Sequence, residues 1–414
     1  MKRPSPRTIY LILTFVSSAL YSAAFVAMSL FEATTAGLDP LQLVLVGTTL
    51  ELTVLFCEVP TGVVADVYSR RTSILIGHAV VGLAFLVEGL FPAFATILLA
   101  QVLYGLGYTF TSGATQAWLS DEIGEERANQ TFLTANRFGL GGALLGMLAA
   151  IALGGLGTTA TPILVSGAGR LVLVLFLAIL MTETGFRPAK PEDRNTFQHM
   201  ADTFRKGLQT IRRRPALVAI LGVALFYGLY SEGFDRLWVK NLIERFSLPA
   251  VFGENDVAFF GLLRAVSMLG SLAATRLVEK RLDPSRPRSI GRLMFAITIG
   301  VMVSIISFAL SPWLGLSLGL YLVIAALRNL TEPLMDAWMN QRLDPDVRAT
   351  VLSMTGQADA VGQIAGGPSI GVLARAVSVP LAMSISGSLL APALGFIRQA
   401  NAHLHAERTA SAQD

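Results

Sequence analysis

Cysteine is almost absent from this sequence. Cys57 is the only one in 414 residues, which excludes an internal disulfide and any cysteine-ligated metal site. Histidine is nearly as scarce: of four in the chain only His78 falls inside an apolar run, so no ligand cluster forms and neither a metal nor another cofactor is implied. Charge is the third shortage. Lys, Arg, Asp and Glu make up 14% of the residues, against about 25% in soluble domains. No GxxxxGK[ST] loop occurs, so nothing points to ATP use, and no catalysis is implied.

Apolar length is what the sequence has in excess. Hydrophobic residues make up 53% and the mean hydropathy is +0.59. A helix crosses the hydrocarbon of a bilayer with about 20 mostly apolar residues. Twelve stretches meet this, near 10–32, 41–65, 72–92, 95–118, 130–154, 160–182, 215–241, 254–279, 290–311, 314–340, 349–373 and 379–400. Uninterrupted runs of this length exclude a β-barrel, whose strands are short and alternating. The first stretch is too long for the core of a signal peptide and no small-residue cleavage site follows it, so it is read as a retained helix.

Basic residues cluster on one side of these stretches. Lys2, Arg3 and Arg7 precede the first, Arg70 and Arg71 follow the second, and Arg127 follows the fourth. The segment 183–214 holds Arg187, Lys190, Arg194, Arg205, Lys206 and Arg212 to Arg214. Lys280, Arg281, Arg286, Arg288 and Arg292 follow the eighth stretch, Arg342 and Arg348 the tenth. The opposite loops are nearly bare, with Arg245 and Arg375 the exceptions. The positive-inside rule then places both termini and 183–214 in the cytoplasm of a multi-pass protein of the cell (inner) membrane. The net charge of +4 follows from this bias and implies no nucleic-acid partner.

Residues 183–214 divide the chain into an N-terminal bundle of six helices, 1–182, and a C-terminal bundle of six, 215–414. Within the linker Phe197, Met200, Ala201, Phe204, Leu208 and Ile211 follow helical spacing, which predicts an amphipathic helix on the cytoplasmic face. The halves echo one another. "LYSAAF" at 20–25 matches "LYSEGF" at 229–234, "QAWLSDEI" at 116–123 matches "DAWMNQRL" at 336–343, and Gly142 and Gly146 match Gly362 and Gly366. Parallel six-helix repeats are a transporter architecture, with the site near mid-membrane between them.

Between the second and third stretches the chain reads "GVVADVYSRR", Gly62 to Arg71. Here the sequence resembles the major facilitator superfamily, whose signature in this loop is a Gly, an Asp four residues on, and a basic pair. Gly62, Asp66, Arg70 and Arg71 match; Val67 and Ser69 depart from the usual basic residue and glycine. The resemblance implies an all-α fold of twelve transmembrane helices in two pseudo-symmetric six-helix bundles, and a cavity lined by the first, fourth, seventh and tenth. Gly62 is expected to allow a close helix approach. Asp66 is expected to meet the N-terminal amides of the eleventh helix, and Arg70 to bridge to Asp121 or Glu122. Other family marks are weaker: Gln101 stands where proton-coupled members often carry Arg, and "GLGGALLG" at 139–146 has the glycines but not the proline of many exporters, while "GQIAGGPSIG" at 362–371 carries a GGP element.

Ionisable residues at bilayer depth are costly and mark function. The seventh segment carries Glu232, Asp235 and Arg236, and the tenth carries Arg328, Glu332 and Asp336 at four-residue intervals. Glu232 with Arg236 and Arg328 with Glu332 are spaced to pair within their helices; Glu232 and Arg328 are also expected at similar depth. Two carboxylates remain in excess of the two arginines, and an unpartnered carboxylate in low dielectric can take up a proton. Glu232, Asp235, Glu332 and Asp336 are therefore the proton-coupling candidates, Glu232 foremost. Tyr21, Tyr108, Gln116, Tyr230, Arg236 and Arg328 are the candidate cavity residues, with Phe25, Phe234 and Trp238 as further aromatic wall, suited to an amphipathic organic molecule. Glu51, Glu58, Arg137, Arg264 and Asp359 are read as gating or structural contacts; Glu88 and Arg170 have no assigned place.

The expectation is a monomeric secondary transporter working by alternating access, exporting a small amphipathic organic molecule or drug against protons, as a drug/proton antiporter does. A proton-coupled importer or facilitator, and a non-transporting sensor on the same scaffold, are the alternatives.

Overall fold

The computed structural model describes residues 4–188, 205, 209, 211–212, 214–249, 256–281, 287–340 and 345–410. Among them there are fourteen α-helices and no strand. They are α1 Pro6–Thr34, α2 Pro40–Val67, α3 Arg70–Leu90, α4 Phe94–Thr111, α5 Ala114–Ile123, α6 Glu125–Leu156, α7 Thr161–Leu180, α8 Pro215–Arg245, α9 Asp256–Arg281, α10 Pro287–Leu310, α11 Leu314–Asn340, α12 Pro345–Ala376, α13 Val379–Ser388 and α14 Ala391–Ala410. Most of the amphipathic helix expected over 197–211 lies outside the described residues.

Among the described residues eleven helical spans are long and apolar enough to cross a membrane, taking α4 with α5 and α13 with α14 as one span each. The eleventh of the twelve sequence stretches, α12, is not among them: Gln357, Asp359 and Gln363 and the run Gly366–Pro368 dilute it. The fourth stretch is not one continuous helix. Ser112 is extended and Gly113 adopts φ +70°, a left-handed conformation open chiefly to glycine, so the chain restarts as α5.

The chain forms two compact units. The first comprises Met1–Leu38, Thr49–Thr196 and Leu248–Ala265, the second Asp39–Thr48, Phe197–Ser247 and Val266–Asp414. In the first unit α6 packs on α1 through Gly142 and Gly146, where a Cβ would collide with the carbonyls of Phe15 and Ala19. In the second, α12 packs on α8 through Gly362 and Gly366, which meet the backbone of Leu225 and Leu229. Lipid tails are as apolar as side chains, so helices associate here by close van der Waals contact, which small residues permit. The glycine echo in the sequence is thus one helix crossing used twice. Trp118 and Trp338, from the second echo, are both buried to 1% exposure.

The crossings correct the register of the remaining echo. Phe15 corresponds to Leu225 and Ala19 to Leu229, so Ser22 stands where Glu232 stands, one residue away from the pairing of Ala23 with Glu232 that the "LYS" match suggests. Backbone contact, unlike a three-letter identity, leaves no freedom to slide.

Candidate functional site

The second unit holds a cavity of about 490 Å³ walled by α8, α11 and α12. Gly228 draws two of these walls together, since a Cβ there would strike the backbone of Asp359. On α11, Pro333 lacks the N–H that would bond the carbonyl of Asn329, and it lies between Thr331, Glu332, Met335 and Asp336, all of which face the cavity.

Across this cavity Arg328 donates to both carboxylate oxygens of Asp235, at 2.5 and 2.7 Å. This two-pronged geometry is what a planar guanidinium makes with a carboxylate. The guanidinium also lies over the rings of Tyr230 and Phe234, at 5.7 and 5.5 Å from their centroids. The expected partner of Arg328 within its own helix, Glu332, is not used, nor does Arg328 meet Glu232. Asp235 offers one oxygen to each terminal nitrogen of the guanidinium, a match the four-residue spacing of one helix does not require.

Glu232 pairs with Arg236, whose Nε donates to Oε1 at 2.9 Å, as the spacing predicts. The pair is turned away from the cavity wall and packs against Gly47, where any Cβ would overlap the Glu232 carboxylate and the Arg236 guanidinium. Arg236 is therefore not among the lining residues, although the sequence reading places it there. Glu332 and Asp336 do line the cavity, and among the described residues neither pairs with a cation. Among the described residues, the two carboxylates of this set without an ion-pair partner both lie on α11.

Asp359 also faces this cavity, accepting from Gln363 Nε2 at 2.7 Å. The sequence reading assigns it to gating or structural contacts; its spacing from Gln363, one helical turn along the same face, was the available signal.

The first unit holds a second cavity, of about 430 Å³, walled by α1, α3, α4, α6 and α7. Two glycine crossings set α3 among its neighbours: Gly77 meets Gly107 of α4, and Gly82 meets Gly167 of α7. Tyr21 and Tyr108, two of the candidate cavity residues, line this cavity of the first unit together with Tyr104, His78 and Arg170. Tyr21 stacks on Phe25 at 4.1 Å, and Tyr104 on Phe85 at 5.7 Å. Gln116 lines neither cavity: beyond the break at Gly113 it lies exposed on α5. Glu88, buried on α3, accepts from Gln101 Nε2 at 3.1 Å.

The loop between α2 and α3 is tied down within its own unit. Arg70 Nε lies 3.1 Å from Asp121, the bridge foreseen from the sequence, and Arg70 is 4.0 Å from Asp66. Glu183 accepts from Ser69 Oγ and the Arg71 amide, and the Arg71 side chain donates to the carbonyls of Met181 and Ala178. Glu122 serves Thr184 and Gly185 rather than Arg70. Among the described residues no close approach is made at Gly62, where a Cβ would meet none of them within 4 Å. The expected contact of Asp66 with the start of the eleventh stretch involves 341–350, whose side chains lie outside the described residues.

Comparison with known proteins gives a consistent result. The sequence profile of the Major Facilitator Superfamily matches residues 10–367. An uncharacterized MFS-type transporter, YxaM of Bacillus subtilis (strain 168), is 24% identical over 342 residues, 82% of each chain. Among solved structures, the nucleoside transporter NupG superposes with a TM-score of 0.75 at 15% identity, covering 96% of this chain and 99% of that one. A bacterial homologue of the human lysosomal transporter Spinster, inward-facing and unoccupied, gives 0.75 at 15% identity over 97% and 98%. A D-xylose–proton symporter gives 0.67 at 12% identity over 95% of each. At these identities the structural likeness speaks to the fold.

Proposed function

This chain belongs to the major facilitator superfamily, and from that premise we propose that it is a secondary active transporter exporting a small amphipathic organic molecule in exchange for protons. Its family makes it a multi-pass membrane transporter of small molecules rather than an enzyme. The further reading adds alternating access, with residues 1–182 and 215–414 as the two bundles and 183–214 as a cytoplasmic linker. It also adds a monomeric state, and a cytoplasmic-membrane location with both termini inside.

The observation that carries the coupling is the Asp235–Arg328 pair on the wall of the second unit's cavity, beside Glu332 and Asp336, which pair with no cation among the described residues. A proton on Asp235 removes the charge that holds Arg328 and releases the guanidinium into the cavity. A substrate that engages Arg328 does the same in competition. Proton and substrate thus bear on one contact, the condition for linkage between two ligands. Asp235 is accordingly the first-ranked proton carrier, with Glu332, Asp336 and Glu232 after it. The Gly62–Arg71 loop, with Asp66, Arg70, Arg71 and Asp121, is assigned to closure of the cytoplasmic side.

A second reading, a facilitator that moves a small solute without proton coupling, draws on one contact. Gln101, where proton-coupled relatives often carry Arg, is neutral and bonded to Glu88, so the first unit lacks that family mark.

A thermal-shift screen of purified protein supplies a binder, which is then followed in proteoliposomes under an imposed pH gradient. Export predicts movement of the binder against the proton flow. Movement with the protons selects import, and movement unaffected by collapsing the gradient removes proton coupling.

A further inference from the structure

Arg170 lies midway along α7, the span Thr161–Leu180, whose mean hydropathy is 2.5. Its exposure is 6%. A cation at such depth is expected to have a carboxylate beside it. Among the described residues Arg170 has none. Its Nη1 lies 2.9 Å from His78 Nδ1, and since a guanidinium can only donate, this ring nitrogen is the acceptor and His78 is the neutral tautomer with its proton on Nε2. A further contact is the face of Phe85, 5.5 Å from the guanidinium carbon. Arg170 Nε is buried with no hydrogen-bond partner.

Arg170 lines the cavity of the first unit, and among the described residues no acidic side chain does. Hydroxyl donors from Ser17, Ser18, Ser22 and Tyr108 share the same walls, and the stacked rings of Tyr21 and Phe25 supply an aromatic flank. The contrast with the second unit is direct: there Arg328 is already saturated by both oxygens of Asp235, whereas Arg170 keeps its charge and an unused donor. Glu88, on the neighbouring helix, does not line this cavity and is engaged by Gln101.

We propose that the first unit's cavity is a subsite for an organic anion, with Arg170 binding a carboxylate, sulfonate or phosphate group and the tyrosine–phenylalanine wall holding an attached aromatic or aliphatic body. His78 is a positioning residue: by accepting from Nη1 it orients the guanidinium without neutralising it. The volume of about 430 Å³ suits a small organic molecule. This inference rests on the transporter reading for its use, since an anion held here is cargo only if the protein moves it.

The test is equilibrium dialysis of the full chain in phosphatidylcholine nanodiscs, with no pH gradient, against 2-naphthalenesulfonate and its uncharged isostere 2-naphthalenesulfonamide. The expected result is saturable binding with at least tenfold preference for the sulfonate. Arg170→Gln should equalise the two probes, while Arg170→Lys should keep a reduced preference because the charge survives without the planar fork. If Arg170→Gln does not fold, Tyr108→Glu decides, since an added carboxylate on the same wall should abolish the preference. Absence of saturable sulfonate binding, equal binding of both probes by the wild type, or a preference that survives the deciding variant overturns the proposal. Failure of gradient-driven movement with the sulfonate preference intact would sink only the coupling reading. Loss of the preference while an uncharged binder is still driven by the gradient would sink only the subsite.

Discussion

Replacing Asp235 by Asn keeps the shape of the side chain and removes the charge that holds Arg328. Two N–H···O bonds, at 2.5 and 2.7 Å, are affected. A hydrogen bond to a charged group contributes about 1.5–3 kcal/mol net, and stripping one partner from a fully buried ion pair costs about 3–5 kcal/mol. This pair is not fully buried: the side chains of Arg328 and Asp235 are 27% and 43% exposed, so cavity water takes over part of the lost solvation. The expected destabilisation is therefore about 1–3 kcal/mol, below the buried-pair range. Arg328→Gln should cost a similar amount. The double variant should be less damaging than the sum by about 1–2 kcal/mol, because neither charge is then left alone. Equilibrium unfolding in SDS mixed micelles, followed by circular dichroism on the four proteins of the cycle, measures the coupling. Costs that add to within about 0.5 kcal/mol would mean that Asp235 and Arg328 do not depend on each other, and the mechanism built on their competition would fall.

Four further outcomes are expected. Glu232→Gln should lower stability through loss of the Arg236 contact yet leave gradient-driven transport in place; loss of coupling at unchanged stability would move the proton from Asp235 to Glu232. Gly366→Ala drives a methyl group onto the backbone of Leu229 and should cost about 1–3 kcal/mol, whereas Gly270→Ala, which meets open space, should stay within about 0.5 kcal/mol of wild type; equal thermal unfolding of the two would contradict the crossing. Asp66→Asn should scarcely change unfolding, since Asp66 is 43% exposed and 4.0 Å from Arg70, while the rate of driven transport should fall; an unchanged rate would remove Asp66 from the closure mechanism. Arg187→Cys in a Cys57→Ala background should resist an impermeant maleimide in intact cells and react after permeabilisation, and labelling from outside would invert the orientation.

Much of the fold is legible in the sequence because the bilayer imposes its terms residue by residue. A span must be about 20 apolar residues long with its backbone bonds satisfied internally, so length and hydropathy alone mark nearly every helix. The exception is instructive: α12 carries Asp359 and Gln363 because one of its faces meets a cavity rather than lipid. Local pairs are legible for the same reason. Glu232 and Arg236, a helical turn apart, meet as their spacing requires. So do the paired glycines, because a crossing that brings backbones together tolerates no side chain at the contact.

Tertiary structure decides which charge answers which across helices. Nothing in the spacing of Arg328 and Glu332 reveals that Arg328 turns to Asp235 on another helix, or that Glu232 packs against Gly47 instead of facing the cavity. Glu88 and Arg170, without a place in the sequence reading, receive one only when glycine crossings bring α4 and α7 against α3. Periodicity gives a residue its height and its face on one helix. Its partner depends on how neighbouring helices rotate and where they cross, and that is set by many small contacts distant in sequence. The chain's class, its span lengths and its within-helix pairs belong to the sequence, whereas the Asp235–Arg328 contact and the uncompensated charge of Arg170 exist only in the packed bundle.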